Sequence, residues 1–232
     1  MQPSKLQPLR ALRALRILLN DKDATEQVFV IVRALTGKSV IRAYNRFAST
    51  GTGRRILIEK RELLDTLKDR ARLGQMAPDS LGRTYLEFVE RERLSADGLV
   101  EASESAQGLT ENENVARYAM RLRDSHDLWH TVTGYGRDGL GEVCLLGFTY
   151  AQTRNPGLAV IALAGGMKYA RFIGWRALSA LWYGYRAGRR AAWLPGADWE
   201  HLLAQPLDQV RDRLRVRAPV LYPELKEVAL AV

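Results

Sequence analysis

Apolar and polar positions along this chain repeat with the period of an α-helix, and no stretch alternates with the period of two that a β-strand requires. Leu9, Leu12 and Leu15 recur at three-residue spacing in a predicted amphipathic helix over residues 6–19, with arginines on the neighbouring side. Further helices are predicted over residues 25–37, 39–48, 56–73, 81–94, 113–133, 140–153, 158–188 and 199–216. The pattern therefore predicts an all-α protein, and we expect one single-domain helical bundle over residues 1–232.

Breaks between these helices are predicted where glycine, proline and polar residues cluster. Turns or loops are expected at residues 20–23, 49–53, 74–82, 154–157 and 193–196. Gly37 is the expected C-terminal cap of the second helix, and Asp79 or Ser80 the N-terminal cap before residue 81. Pro206 is expected to kink or restart the last helix. The polar stretch 95–112 is interpreted as a surface loop or a short irregular helix. It is the best candidate for a boundary or flexible segment, but we predict no domain break there.

The composition favours acidic partners. The 232 residues include 35 Lys and Arg against 26 Asp and Glu, a formal charge of +9, which attracts nucleic acid, anionic lipid or an anionic substrate. The basic residues form no tail and nothing resembles a nucleic-acid module, so we expect no nucleic-acid partner. The single cysteine, Cys144, excludes a disulfide framework, fits a reducing compartment and is interpreted as a small core residue.

The sequence predicts no membrane-spanning helix, and its membrane-related features fit contact with a membrane surface. The charge-free stretch 155–167 contains proline and glycine and is far shorter than the roughly 20 residues that cross a bilayer. The basic start resembles a mitochondrial presequence, but it runs directly into the next helical pattern, so we interpret it as part of the mature fold. Aromatic and basic residues alternate through 158–188. Three roles would each explain that alternation. The aromatic rings could pack in the core while the charged ends of Lys and Arg reach water, the residues could contact lipid headgroups, or the rings could stack on bases.

The candidate chemistry lies in residues 124–153. Only three histidines occur in the chain, and His126 and His130 are four residues apart, nearly above one another on a helix, with Asp127 a quarter turn away. Glu142 follows after a glycine-rich break that lets the chain reverse. Imidazoles and carboxylates bind zinc and other divalent first-row metals. The spacing therefore predicts a four-ligand metal site between two neighbouring central helices.

Other interpretations of the two imidazoles stay open from spacing alone. The pair also fits a buried, hydrogen-bonded arrangement without metal. In the HExxH metalloproteases the second residue is a glutamate that acts as general base, whereas here it is Asp127. An HD-type phosphohydrolase would need an upstream histidine and a distal aspartate, but the one remaining histidine, His201, lies downstream of the motif.

The motif and its surroundings resemble the coenzyme Q biosynthesis protein 4 family. The match is His126-Asp127-x-x-His130, then eleven residues, then Glu142. The resemblance covers most of the chain and includes the segments LRALRALRILLNDKDATEQVF, SLGRTYLEFV and WEHLLAQPLDQVRDRLRV. Without a separate presequence, a bacterial member is the expectation.

This resemblance implies a divalent metal, zinc in the usual description, on His126, Asp127, His130 and Glu142. It implies a polyprenylated aromatic substrate whose ring C1 carboxyl is removed oxidatively and replaced by hydroxyl. Zinc transfers no electrons, so iron or another redox-active metal stays open. The alternative role is a non-catalytic, metal-stabilised, lipid-binding scaffold that organises ubiquinone-biosynthesis proteins.

The same resemblance implies a location and partners. We expect a peripheral position on the cytoplasmic face of the inner membrane, or on the mitochondrial matrix side in a eukaryote. The expected partners are the membrane surface and other ubiquinone-biosynthesis proteins. A homodimer stays open.

Overall fold

α-Helices form the regular structure of this protein in the computed structural model, which describes residues 6–20, 24, 26–94 and 112–230. No strand occurs among these residues, and a single isolated antiparallel bridge joins Ser80 to Pro206. The all-α prediction is confirmed. In chain order the helices are α1 (Pro8–Asn20), α2 (Glu26–Leu35), α3 (Ser39–Ser49), α4 (Gly51–Ile58), α5 (Leu63–Lys68), α6 (Arg70–Gly74), α7 (Leu81–Arg91), α8 (Glu113–Asp124), α9 (His126–Thr133), α10 (Gly139–Thr153), α11 (Pro156–Ile173), α12 (Arg176–Arg190), a 3₁₀ turn (Leu194–Gly196), α13 (Trp199–Leu202), α14 (Leu207–Leu214) and α15 (Leu221–Leu230).

The helices fall into two compact units, each assembled from separate parts of the chain. The first unit comprises Met1–Arg42, Tyr135–Ala191 and Ala218–Val232, and the second comprises Ala43–Gly134 and Ala192–Arg217. The single domain expected over residues 1–232 stays a prediction. Among the described helices, none has both the length and the apolar character needed to cross a bilayer.

The first unit is built around α10, which is buried along most of its length and packs against α11, α12 and α15. Glycines let α12 approach α10 closely. A Cβ added to Gly184 would overlap the carbonyl oxygen of Cys144, and one added to Gly188 would press on the backbone of Phe148. Side chains larger than hydrogen would therefore separate these two helices.

The second unit packs α9 against α7, α8 and α14. Its largest fully buried side chains include Trp129 of α9 and Trp199 of α13. Backbone hydrogen bonds join two distant segments, because the Leu81 amide donates to the carbonyl of Gln205 at 2.9 Å and the Leu207 amide donates to that of Asp79 at 2.8 Å.

Several predicted helix ends are confirmed. The Ser80 hydroxyl accepts the Arg83 amide at the start of α7, and Gly37 follows α2 with a positive φ of 51°. The predicted break at 154–157 is shorter than expected, because Asn155 caps α11 with its side-chain oxygen 2.9 Å from the Gly157 amide, and Pro156 occupies the first helical turn. Pro206 directly precedes α14, so the predicted restart is also found.

The prediction of a loop at 49–53 is wrong, as is that of one helix over 56–73. Thr50 caps α4, which runs to Ile58, and Gly53 lies inside it against the carbonyl of Phe47. That glycine serves a close contact, not a turn. Lys60, with a φ of 50°, helps end α4, and the short helices α5 and α6 follow.

Two long predicted helices are each divided. The stretch 113–133 is interrupted at Ser125, and the stretch 158–188 at Gly174, whose φ is 68°. The predicted helix over 199–216 is likewise two helices, and α15 was not predicted. The predicted turn at 20–23 and the polar stretch 95–112 lie almost entirely outside the described residues, as does the start of a helix at residue 25.

Candidate metal site

Helix α9 carries three of the four predicted ligands, His126, Asp127 and His130. The two imidazole rings are perpendicular to each other, with centroids 4.8 Å apart, and offer ligand nitrogens within 4.8 Å of one another. His130 is buried and His126 half-buried. The predicted alignment of the two histidines on one face of a helix is therefore confirmed. Imidazole nitrogens are ligands of divalent first-row metals, so this donor pair fits one.

The plane of His130 is set by an apolar neighbour. Its ring stacks on Phe88 of α7, with centroids 5.7 Å apart and an angle of 21° between the planes. The Arg91 guanidinium lies 5.5 Å from the centroid of the Phe88 ring. Packing of this kind restricts the ring orientation from which a nitrogen could bind a metal.

Asp127 lies half-buried in the first turn of α9, where the helix dipole favours a carboxylate. It is not part of the group of neighbouring ligand atoms that contains His126 and His130. Burial, and to a smaller extent the Asp127 charge, raise the pKa of Tyr85, so that hydroxyl stays protonated. The role of Asp127 as a metal ligand stays a prediction.

The C-terminal end of α9 is fixed by Arg211 of α14. Its Nε donates to the carbonyl of Val132 at 2.9 Å, and its Nη2 to the carbonyl of Thr131 at 3.4 Å. Gly134 then ends the helix with a left-handed φ of 78°. Arg211 thus satisfies carbonyls that a helix terminus leaves open, directly after His130. Sequence reasoning missed it, because 79 positions separate it from Val132.

The charged residues before His126 serve the fold. Arg121 is buried and donates to both carboxylate oxygens of Glu200 at 2.7 Å. Arg123 donates to Asp124 through Nε at 2.8 Å. Burial raises the pKa of Asp124, and the charge of Arg123 and its hydrogen bond oppose that shift. No general base could be assigned from the sequence, and these ion pairs do not supply one.

The fourth predicted ligand, Glu142, belongs to the first unit, in the first turn of α10. Asp138 caps this helix, since its Oδ1 accepts the Gly141 amide at 3.0 Å. Gly141 packs directly on the carbonyl of Gly136, where any Cβ would overlap. The predicted glycine-rich reversal is therefore found. Participation of Glu142 in a site with the three residues of α9 stays a prediction.

Comparison with known proteins gives a consistent result. Residues 8–220 match the family described as coenzyme Q (ubiquinone) biosynthesis protein Coq4. The mitochondrial ubiquinone biosynthesis protein COQ4 of Podospora anserina is 30% identical over 189 residues, 81% of this chain and 60% of the relative. The mitochondrial COQ4 homologue of Danio rerio is 28% identical over 198 residues, 84% of this chain and 70% of the relative.

The chain spans about three fifths of the length of the Podospora relative, 60%. A crystal structure of a Nostoc punctiforme protein, provisionally assigned to ubiquinone biosynthesis, has a TM-score of 0.65 and 19% identity. The likeness covers 90% of this chain and 98% of the Nostoc chain, which shows a shared fold. Because the family match extends over nearly the whole sequence, the chain belongs to the coenzyme Q (ubiquinone) biosynthesis protein Coq4 family.

Proposed function

We propose that this protein is a metal-dependent enzyme of ubiquinone biosynthesis. Its substrate would be a polyprenylated 4-hydroxybenzoate precursor, and its reaction the replacement of the ring C1 carboxyl by hydroxyl. The observation that carries the proposal is the perpendicular His126–His130 pair on α9, in a chain that belongs to the Coq4 family.

In this proposal His126, Asp127, His130 and Glu142 hold one divalent metal. Bound zinc would supply Lewis-acid polarisation of a carboxylate or phenolate oxygen, and bound iron would add electron transfer. Two carboxylates cancel the formal charge of a dication. A carboxylate that leaves or moves when an anionic substrate binds would restore part of that charge.

The reaction must also balance in electrons. Cleavage of the ring–carboxyl bond releases carbon dioxide, and the ring carbon gains a hydroxyl. If water supplies that oxygen, two electrons and two protons leave for each carboxyl replaced. Molecular oxygen can accept both and leave as hydrogen peroxide, which closes the balance without another reductant.

The protein surroundings suit an apolar substrate. Phe88, Leu128 and Trp129 are buried on or beside α9, so one side of the His130 ring faces hydrocarbon and not water. An apolar environment strengthens electrostatic interactions with the substrate carboxylate and disfavours competing water.

A membrane position explains a second set of residues. Large apolar side chains are exposed along α11 and α12 and in the turn between them: Leu163, Met167, Phe172, Trp175, Leu178, Trp182 and Tyr183. Basic residues share these helices. Such a face fits lipid headgroups, where aromatic and basic side chains are favoured. We therefore include the membrane surface and other ubiquinone-biosynthesis proteins among the proposed partners, on the cytoplasmic or matrix side of an inner membrane.

The enzymatic role is tested by metal analysis and turnover after anaerobic purification. We expect wild-type protein to contain a divalent metal and to convert a prenylated hydroxybenzoate only when oxygen is admitted. His130→Ala and Asp127→Ala should each lower turnover by about 100-fold or more while the helical circular dichroism is kept. His201→Ala is the matched control, because His201 is exposed. Equal turnover in all three variants would contradict the proposal.

The exposed aromatic face also supports the scaffold alternative. A scaffold would bind a prenylated precursor and float with anionic liposomes, yet release no carbon dioxide with any metal. Trp175→Ser together with Trp182→Ser should weaken flotation, because both side chains are more than half exposed. Absence of flotation at low salt would remove the membrane face from either role.

A further inference from the structure

The loop that leads into α10 is held by a residue from the distant C-terminal helix. The Tyr222 hydroxyl of α15 accepts the Gly136 amide at 3.0 Å and donates to Oδ2 of Asp138. One hydroxyl therefore joins two points of the glycine-rich reversal. Tyr222 lies just beyond residues 8–220, where the family match ends.

Burial and packing restrict the position of the Tyr222 ring. It is only 4% exposed and packs edge-on against Tyr135, with ring centroids 5.5 Å apart. Burial, followed by the hydrogen bond to Asp138, raises the pKa of Tyr222. The hydroxyl therefore stays protonated at neutral pH and keeps its donor role.

The same contacts fix the backbone at Glu142. Asp138 receives the Tyr222 hydroxyl on one oxygen and the Gly141 amide on the other, and its own carbonyl accepts the Glu142 amide at 2.9 Å. Tyr222 thus acts through one carboxylate on the backbone that carries the Glu142 side chain. Outer hydrogen bonds of this kind orient metal ligands.

We propose that Tyr222 is a positioning residue for the Glu142 carboxylate in metal binding. The inference rests on the proposed metal site. It assigns to α15 a function in the site, in addition to its packing against α10. Asp138 is the residue through which the position of Tyr222 reaches Glu142.

The test measures zinc affinity by competition with a chromophoric chelator, using folded, metal-free full-length protein. Tyr222→Phe keeps the ring and removes the hydroxyl, and we expect affinity to fall by about 10-fold. Tyr185→Phe is the matched control, because it also removes a tyrosine hydroxyl from the first unit, one that accepts Arg154 at 3.4 Å. Its affinity should equal that of wild type.

A second variant separates positioning from a loss of stability. Asp138→Ser can still cap α10 but cannot reach Tyr222, so it should weaken zinc binding similarly, and the double variant should be no weaker than either single one. Tyr222→Phe affinity within about twofold of wild type, or additive losses in the double variant, would overturn the inference. If wild-type protein binds no zinc, the proposed metal site fails as well, which is a distinguishable result.

Discussion

The two units hold their candidate ligands by different means. In the second unit, α9 is held by charged groups from remote parts of the chain: Arg211 contacts its last carbonyls, and Arg121 of the preceding helix pairs with Glu200. In the first unit, α10 is held by close packing of backbones, with Gly184 of α12 directly against the carbonyl of Cys144. The helix that carries the histidines is thus held by long charged side chains, whereas the helix that carries Glu142 packs where side chains are absent.

This difference predicts different sensitivities. A close glycine contact leaves no space for a side chain, because any added atom must displace a helix. A guanidinium pair tolerates added volume but leaves a carboxylate uncompensated when it is removed. Substitutions that add a methyl group should therefore be most damaging in the first unit, and substitutions that remove charge in the second.

The largest effect is expected from Gly184→Ala. The new Cβ would overlap the Cys144 carbonyl, and backbone cannot yield as a flexible side chain can, so the free energy of unfolding should fall by about 3 kcal/mol. Gly51→Ala is the control, because no atom lies within 4 Å of a Cβ at that position. It should change stability by less than about 1 kcal/mol, in the stabilising direction. Urea unfolding measures both, and equal stability would refute the close-packing argument.

Removal of the buried guanidinium should have the next largest effect. Arg121→Met leaves Glu200 without its two 2.7 Å hydrogen bonds, although Arg61 remains 4.0 Å away. We expect a loss of about 2–3 kcal/mol, most of it recovered when Glu200→Leu is added.

An exposed ion pair of the first unit provides the comparison for that experiment. Arg176 lies 3.1 Å from Glu224, and both side chains are at least half exposed. Arg176→Met should therefore cost less than about 1 kcal/mol. Chemical denaturation compares the two arginine variants. If Arg121→Met costs no more than Arg176→Met, charge does not hold the second unit.

The last effect is a pH dependence in the core of the first unit, and it is absent at neutral pH. Burial, with a lesser contribution from Asp138, raises the pKa of the Cys144 thiol from 9.0 to about 12. Above pH 9 the unfolded thiol ionises while the native one stays neutral, so stability falls as pH rises from 9 toward 12. The slope from this group is at most about 1.4 kcal/mol per pH unit.

Cys144→Ala isolates that slope. The variant should be less stable at neutral pH, because a buried sulfur is lost, but its stability should decline less steeply than that of wild type above pH 9. Parallel pH profiles from urea unfolding would contradict a buried neutral thiol.

The prediction of helix ends succeeded where a cap or proline marked them, as at Ser80 and Pro206. It failed where a glycine could serve either a turn or a close contact between helices. Gly53 was interpreted as part of a loop, yet it lies inside α4 at a helix contact. The stretch 158–188 was predicted as one helix, yet it breaks at Gly174, whereas Gly165 and Gly166 remain helical within α11. A local pattern does not distinguish a glycine that permits close packing from one that turns the chain.

In the candidate site, too, short-range spacing could be predicted from the sequence and long-range contacts could not. The spacing of His126 and His130 predicted their alignment, because four residues on a helix make neighbours. The residues that hold them or Glu142 in place were not found, since Arg211 and Tyr222 lie 79 and 86 positions from their backbone partners. Contacts of this range follow from the tertiary fold.

The interleaved course of the chain has a consequence for its synthesis. The segment 79–82 of the second unit pairs with 203–207, and the whole middle part of the first unit is translated between them. During translation, the core of the second unit therefore stays incomplete until residues 203–207 have been made. Helix α15, whose Tyr222 holds the reversal before α10, is made later still, so the first unit also completes its core only after the second unit has been translated.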